Sequence, residues 1–126
     1  MRSCSLALLV LVFVFALSAC HPAPPSMPKQ PFTSAGVTLR LDPPSAPDCK
    51  PTTTYRAVLH WSWKSDLPKT DVRIGSPTGP LFARSNDEVA QQETGNWVKP
   101  GTWFILLDRG GDQILGAVRA GPNPCP

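Results

Sequence analysis

The sequence predicts an all-β domain, a seven-stranded Greek-key sandwich of two sheets. Three observations carry this. Short runs of alternating apolar and polar residues recur after residue 36, which is the period of a half-buried strand. Clusters of Gly, Pro, Asp and Asn separate the runs. No helical period is sustained in this region, although Asn86 to Gln92 has room for a brief helical turn. Seven short strands at this spacing fit two packed sheets.

Length and composition bound the rest. The 126 residues give room for one small domain. The 16 prolines exceed twice the usual proportion, and many fall between Pro22 and Pro51. That stretch reads as extended chain. The net charge of +3 comes without a Lys/Arg stripe interleaved with aromatics, so nucleic acid is not an expected partner.

The N-terminus starts with one charge, Arg2, before twelve apolar residues, Leu6 to Leu17. This run is too short to span a bilayer comfortably, since a spanning helix needs roughly 20 residues. A charged start, a short apolar stretch and small residues form a signal-peptide pattern over residues 1–19. Leu17-Ser18-Ala19-Cys20 resembles the bacterial lipobox. The resemblance implies that the Cys20 sulfur receives a diacylglycerol group, that cleavage precedes Cys20, and that its new amino group is acylated. Two or more acyl chains hold a protein firmly, where one holds only marginally. His21 stands where an aspartate would retain a lipoprotein in the inner membrane. The resemblance therefore implies an outer-membrane location, with the domain in the periplasm or at the cell surface. Residues 20–35 read as the lipidated cysteine and a proline-rich tether reaching about 45 Å at roughly 3 Å per residue.

The strands follow in order from residue 36 to 126. "GVTLRLDP" alternates Val37, Leu39 and Leu41 against Thr38 and Arg40. "TYRAVLHWSWK" alternates Tyr55, Ala57, Leu59, Trp61 and Trp63 against polar or smaller residues. "TDVRIGS" puts Val72 and Ile74 on one face. "GPLFARS", "ETGNWV", "GTWFILLD" and "QILGAVRA" complete the set.

"WVKPGTWF", Trp97 to Phe104, resembles the fibronectin type III linker between its fifth and sixth strands. Val98, Pro100, Gly101, Thr102 and Phe104 take the positions of the apolar residue, Pro-Gly-Thr and the tyrosine. "VLHW", Val58 to Trp61, is similar to that family's second strand, with Leu59 and Trp61 toward the core. Phe104 has no hydroxyl, so the family's tyrosine-corner hydrogen bond is absent. "VRIGSPTGPLFA" and "TGNWVKPGTWFILLD" are also similar to Ig-like domains of uncharacterised bacterial envelope proteins. These resemblances cover most of residues 36 to 120. They imply a fibronectin type III-like or Ig-like sandwich, and no active site carries over with them.

With Cys20 taken by lipid, Cys49 and Cys125 remain in an oxidising compartment, where a disulfide is the default. The loop would span 76 residues, and the chain-entropy estimate for closing it is about 4.5 kcal/mol. Cys49 precedes the second strand and Cys125 follows the last, so an alternating topology brings both to one end of the sandwich.

No catalytic constellation is legible. His60 should point outward, without a serine, cysteine or carboxylate at a motif spacing. Asp87-Glu88 shows no regular calcium pattern, and no metal or other cofactor is expected. The aromatic residues offer more. If Phe104 and Leu106 face the core, period two sends Trp103, Ile105 and Leu107 the other way. These three form the candidate binding patch, unless neighbouring side chains or the linker cover them. The expected function is non-catalytic: an accessory or scaffolding module, lipid-anchored to the membrane, binding another envelope protein. A glycan- or peptidoglycan-binding module would use Trp63, Trp97 or Trp103 as stacking platforms. A periplasmic inhibitor or immunity lipoprotein is the further alternative.

Overall fold

A computed structural model describes residues 25–48, 50–110 and 113–121. Every regular element among them is a strand: β1 (Phe32–Thr33), β2 (Val37–Asp42), β3 (Val58–Trp63), β4 (Thr70–Ile74), β5 (Leu81–Ser85), β6 (Val89–Glu93), β7 (Trp103–Asp108) and β8 (Ile114–Arg119). They form two antiparallel sheets, ordered β1-β8-β7-β4-β5 and β2-β3-β6. The chain pairs β2 with β3, β4 with β5 and β7 with β8, and changes sheet between β1 and β2, β3 and β4, β5 and β6, and β6 and β7.

The all-β class agrees with the sequence, but the strand count is eight rather than seven. The added strand is β1, inside the segment read as tether. It pairs Phe32 with Ala117 and Thr33 with Gly116 on β8. Two other elements differ. The "TYRAVLHWSWK" run is a continuous strand only from Val58. Upstream, Thr94 takes over both polar groups of Ala57: its hydroxyl accepts from Ala57 N at 2.9 Å, and its own N donates to Ala57 O at 2.8 Å. Tyr55 then forms an isolated bridge with Val98.

The expected strand "ETGNWV" lies instead at Val89–Glu93, which also replaces the expected helical turn at Asn86 to Gln92. Chain beyond Glu93 cannot stay straight, because Trp97 folds back over Gly95. A Cβ on Gly95 would sit 2.7 Å from the Trp97 ring.

The two sheets meet through one core. Leu39 lies opposite Trp61 and Leu41 opposite Leu59 on the small sheet. Val72, Phe104, Leu106 and Leu115 answer from the large one. The turn that launches β7 explains the "KPGT" sequence. Gly101 holds φ at 92°, a left-handed backbone that side chains resist. Thr102 closes the turn, donating from Oγ1 to Lys99 O at 2.8 Å, while Ala120 N donates to Thr102 O at 2.8 Å. Phe104 is thereby aimed into the core, where it is fully buried.

One polar link crosses the core. The Trp61 indole Nε1–H donates to Thr70 Oγ1 at 3.0 Å, with Thr70 fully buried. Removing the hydroxyl without removing the indole leaves a buried donor unpaired. Thr70→Val is therefore expected to lower unfolding free energy by about 1–3 kcal/mol, read by urea denaturation. Adding Trp61→Phe to Thr70→Val should cost less than the two single changes summed, because the lost bond is counted once.

Candidate docking face

The alternation along β7 runs as its sequence reads. Phe104 and Leu106 point into the core, and Trp103, Ile105 and Leu107 point to the opposite face of the large sheet. That face is not open. Ile105 is 0% exposed and Leu107 4%. They pack with Ala117, Ile114, Trp103 and Met27 in a second apolar cluster. The cover is the N-terminal segment itself. Met27 lies on the cluster, β1 pairs with β8, and Ser34 N donates to Leu115 O at 2.9 Å. Gly116 lets this segment come close, since a Cβ there would meet Phe32 O at 3.1 Å. The candidate patch is thus corrected: two of its three residues are buried by chain that was read as free tether. Trp103 stays half-buried, with the Arg119 guanidinium 5.7 Å from its ring centre.

A charged cluster that the sequence did not reveal lies on the same face. Register sets Asp71 beside Leu107 and Arg84 beside Asp71. The Asp71 side chain is only 8% exposed. Arg84 grips it with two bonds, Nε to Oδ1 at 2.8 Å and Nη2 to Oδ2 at 2.9 Å. Arg109 adds a contact at 3.6 Å and donates to Ser85 O and to the Asn86 side chain. The hydrogen bonds it donates to Asp71 first, and the Asp71 charge second, push the Arg84 guanidinium up from its ordinary value. This cluster closes the end of the face; no nucleophile or histidine joins it in these contacts. Nothing in local sequence joins residues 71, 84 and 109, because only strand pairing brings them together.

The remaining readings fall into place by geometry. His60 is half-buried on β3, between Arg40 and Gln91 on the neighbouring strands. Among the described residues no group of three or more His, Cys, Asp or Glu could hold a metal ion. Trp63 is half-buried at the end of β3. Trp97 is 41% exposed, with one side committed: it stacks on Phe104 at 6.1 Å and meets Phe82 edge-on at 5.9 Å. The apolar side chains most open to water include Val89 at 71%, on the edge strand β6, and Leu81 on the edge strand β5. Cys20, Cys49 and Cys125 lie outside the described residues.

Met27 is the covering residue that a single change can remove. Met27→Asp should uncover Ile105 and Leu107 and raise binding of a hydrophobic dye such as anilinonaphthalene sulfonate. The expected stability loss is about 1–2 kcal/mol, the lower part of the range for buried methionines because Met27 is only half-buried. Unchanged dye binding would show that the cover does not depend on Met27. Comparison with protein-family models, curated proteins and solved structures gives no match for this chain.

Proposed function

We propose that this chain is a bacterial outer-membrane lipoprotein whose domain is a non-catalytic docking module for another envelope protein. The observation that carries the anchor is the run Leu6 to Leu17 ending in Leu17-Ser18-Ala19-Cys20. His21 in place of aspartate supports the outer membrane. The sheet order supports a fibronectin type III-like Greek key: lettering β2 to β8 as A, B, C, C′, E, F and G gives sheets A-B-E and C′-C-F-G. β1 is then an addition to the strand G edge.

A Cys49–Cys125 disulfide belongs to this reading. Ser45 and Gly121 form a parallel bridge, with Gly121 N donating to Pro44 O at 2.8 Å. Cys49 and Cys125 each follow their bridge residue by four positions, which supports their pairing. The turn before β3 is firm at that point. Asp48 accepts from Lys50 N at 3.1 Å and from Thr53 Oγ1 at 2.9 Å, and these bonds hold its carboxyl below the usual aspartate range.

The docking role is supported by what the fold leaves unpaired. Both β5 and β6 are edge strands with open backbone groups, and each presents an apolar residue, Leu81 and Val89. Such edges accept an added strand from a partner. The half-exposed Trp97 favours a second reading, a glycan stacked on its free side.

Two experiments test these assignments. The intact mass of membrane-extracted protein should show acyl groups on a chain starting at Cys20, and should be short by two hydrogens for the disulfide. Cys20→Ser should lose palmitate incorporation; a labelled serine variant would remove the anchor from the proposal. For docking, native protein and Leu81→Lys with Val89→Lys should be immobilised side by side and offered detergent-solubilised envelope from the same bacterium. One stoichiometric partner on the native protein alone is the expected result. Equal retention by both would move the interface elsewhere, and a Trp97 fluorescence shift with cell-wall oligosaccharides alone would favour the glycan.

A further inference from the structure

We infer that the outer face of the five-stranded sheet lies against an anionic lipid surface. The inference rests on the lipid-anchor reading and states which side of the domain the anchor turns to the membrane. The first support is where the chain leaves the domain. The described chain begins at Pro25, and Met27 packs on Ile105, Leu107 and Ala117, so the N-terminal segment departs from that face. Only residues 21 to 24 separate Cys20 from Pro25, five residue steps in all. At roughly 3 Å per residue they span about 15 Å, a third of the reach that an undocked tether would have. An anchor this short, attached at the middle of one face, keeps that face toward the bilayer and turns the β2-β3-β6 sheet away.

The second support is the sign of the charge. Arg73 follows Asp71 by two positions on β4 and lies beside Ile105, so it shares the face with Arg84, Arg109 and Arg119. Against these four arginines stands Asp71, leaving a surplus of three positive charges. Arg73 gives one of its nitrogens to Gly79 O at 2.9 Å, and Arg119 is exposed beside the Trp103 ring. Lys29, on the covering segment, is exposed as well. The opposite sheet is balanced: Arg40 pairs with Asp42 and Arg56 with Glu93. Each basic side chain near an anionic membrane adds about a fivefold preference, so a surplus of three gives a factor of about a hundred. This attraction fades over a Debye length of about 8 Å at physiological salt, a distance well within the tether's span. Trp103, half-buried and capped by Arg119, suits a boundary between apolar and polar surroundings.

The test uses the full mature chain, extracted with its lipid and placed in two kinds of vesicle, pure phosphatidylcholine and phosphatidylcholine with phosphatidylglycerol. Arginines are modified with phenylglyoxal, and the rate at each is read by mass spectrometry. On phosphatidylglycerol vesicles Arg73, Arg84 and Arg119 should react about fivefold more slowly than on phosphatidylcholine alone. Arg40 and Arg56 should react alike on both, and molar salt should erase the difference. R73E with R119E should abolish the slowing at Arg84. Uniform reactivity, slowing on both vesicle types alike, or slowing at Arg40 and Arg56 instead would each overturn the inference. The intact mass separates the two levels: a chain without acyl groups overturns the anchor and this inference together, while an acylated chain with uniform reactivity overturns the inference alone.

Discussion

Strand β7 is apolar on both faces, and a strand of that kind must be covered twice. Its inward residues, Phe104 and Leu106, are met by the β2-β3-β6 sheet. Its outward residues, Ile105 and Leu107, have no second sheet to meet them. At about 25 cal/mol per Å² of apolar surface, leaving two large aliphatic side chains in water forfeits several kcal/mol. That is a large share of the net stability of a small domain. The N-terminal segment meets this demand with Met27 and with β1, which also adds ladder bonds to β8. The eighth strand, the narrow Gly116 and the loss of free tether all follow from this one requirement.

The buried polar groups are arranged with similar economy. Thr94 replaces a missing stretch of ladder at Ala57, and its own hydroxyl donates a hydrogen bond to Gly95 O at 2.7 Å. Tyr55, whose phenol is pushed up by burial, donates to Pro43 O at 3.0 Å. That bond ties the last part of the long β2–β3 loop back to the end of β2, a service of the kind that a hydroxyl on residue 104 would have given elsewhere. Among the described residues no buried side-chain nitrogen or oxygen lacks a partner, which is the condition for a small core to stay singly folded.

Much of the fold was legible in the sequence because period two is a local signal. Val37, Leu39 and Leu41, or Leu59 and Trp61, declare both their strand and their face. β6 was misplaced because its ladder face carries little apolar weight: of its inward positions only Ala90 packs on the core, and Gln91, Gln92 and Glu93 are exposed. β1 was missed because two residues cannot show a period, and because proline-rich composition argued for free chain. Trp103, Ile105 and Leu107 lie on the face that period two assigns them, and the linker stood as a candidate cover; that Met27 makes the contact was not legible, since it lies far away in sequence. The Asp71–Arg84–Arg109 cluster was invisible for the same reason. Only the strand pairings, not any spacing, bring those three residues together.

The pairing of Phe32 with Ala117 joins nearly the first described residue to nearly the last. Loop-closure entropy makes such a contact among the slowest to form. During synthesis, β7 emerges before β8, and β1 has no edge to pair with until β8 arrives. Ile105 and Leu107 therefore stay bare until the C-terminal strand is in place, and the domain is completed by its two ends meeting. A holding chaperone or a premature stop would act on that interval: chains that end before residue 114 would keep a sticky sheet face and would be marked, by that face alone, as unfinished.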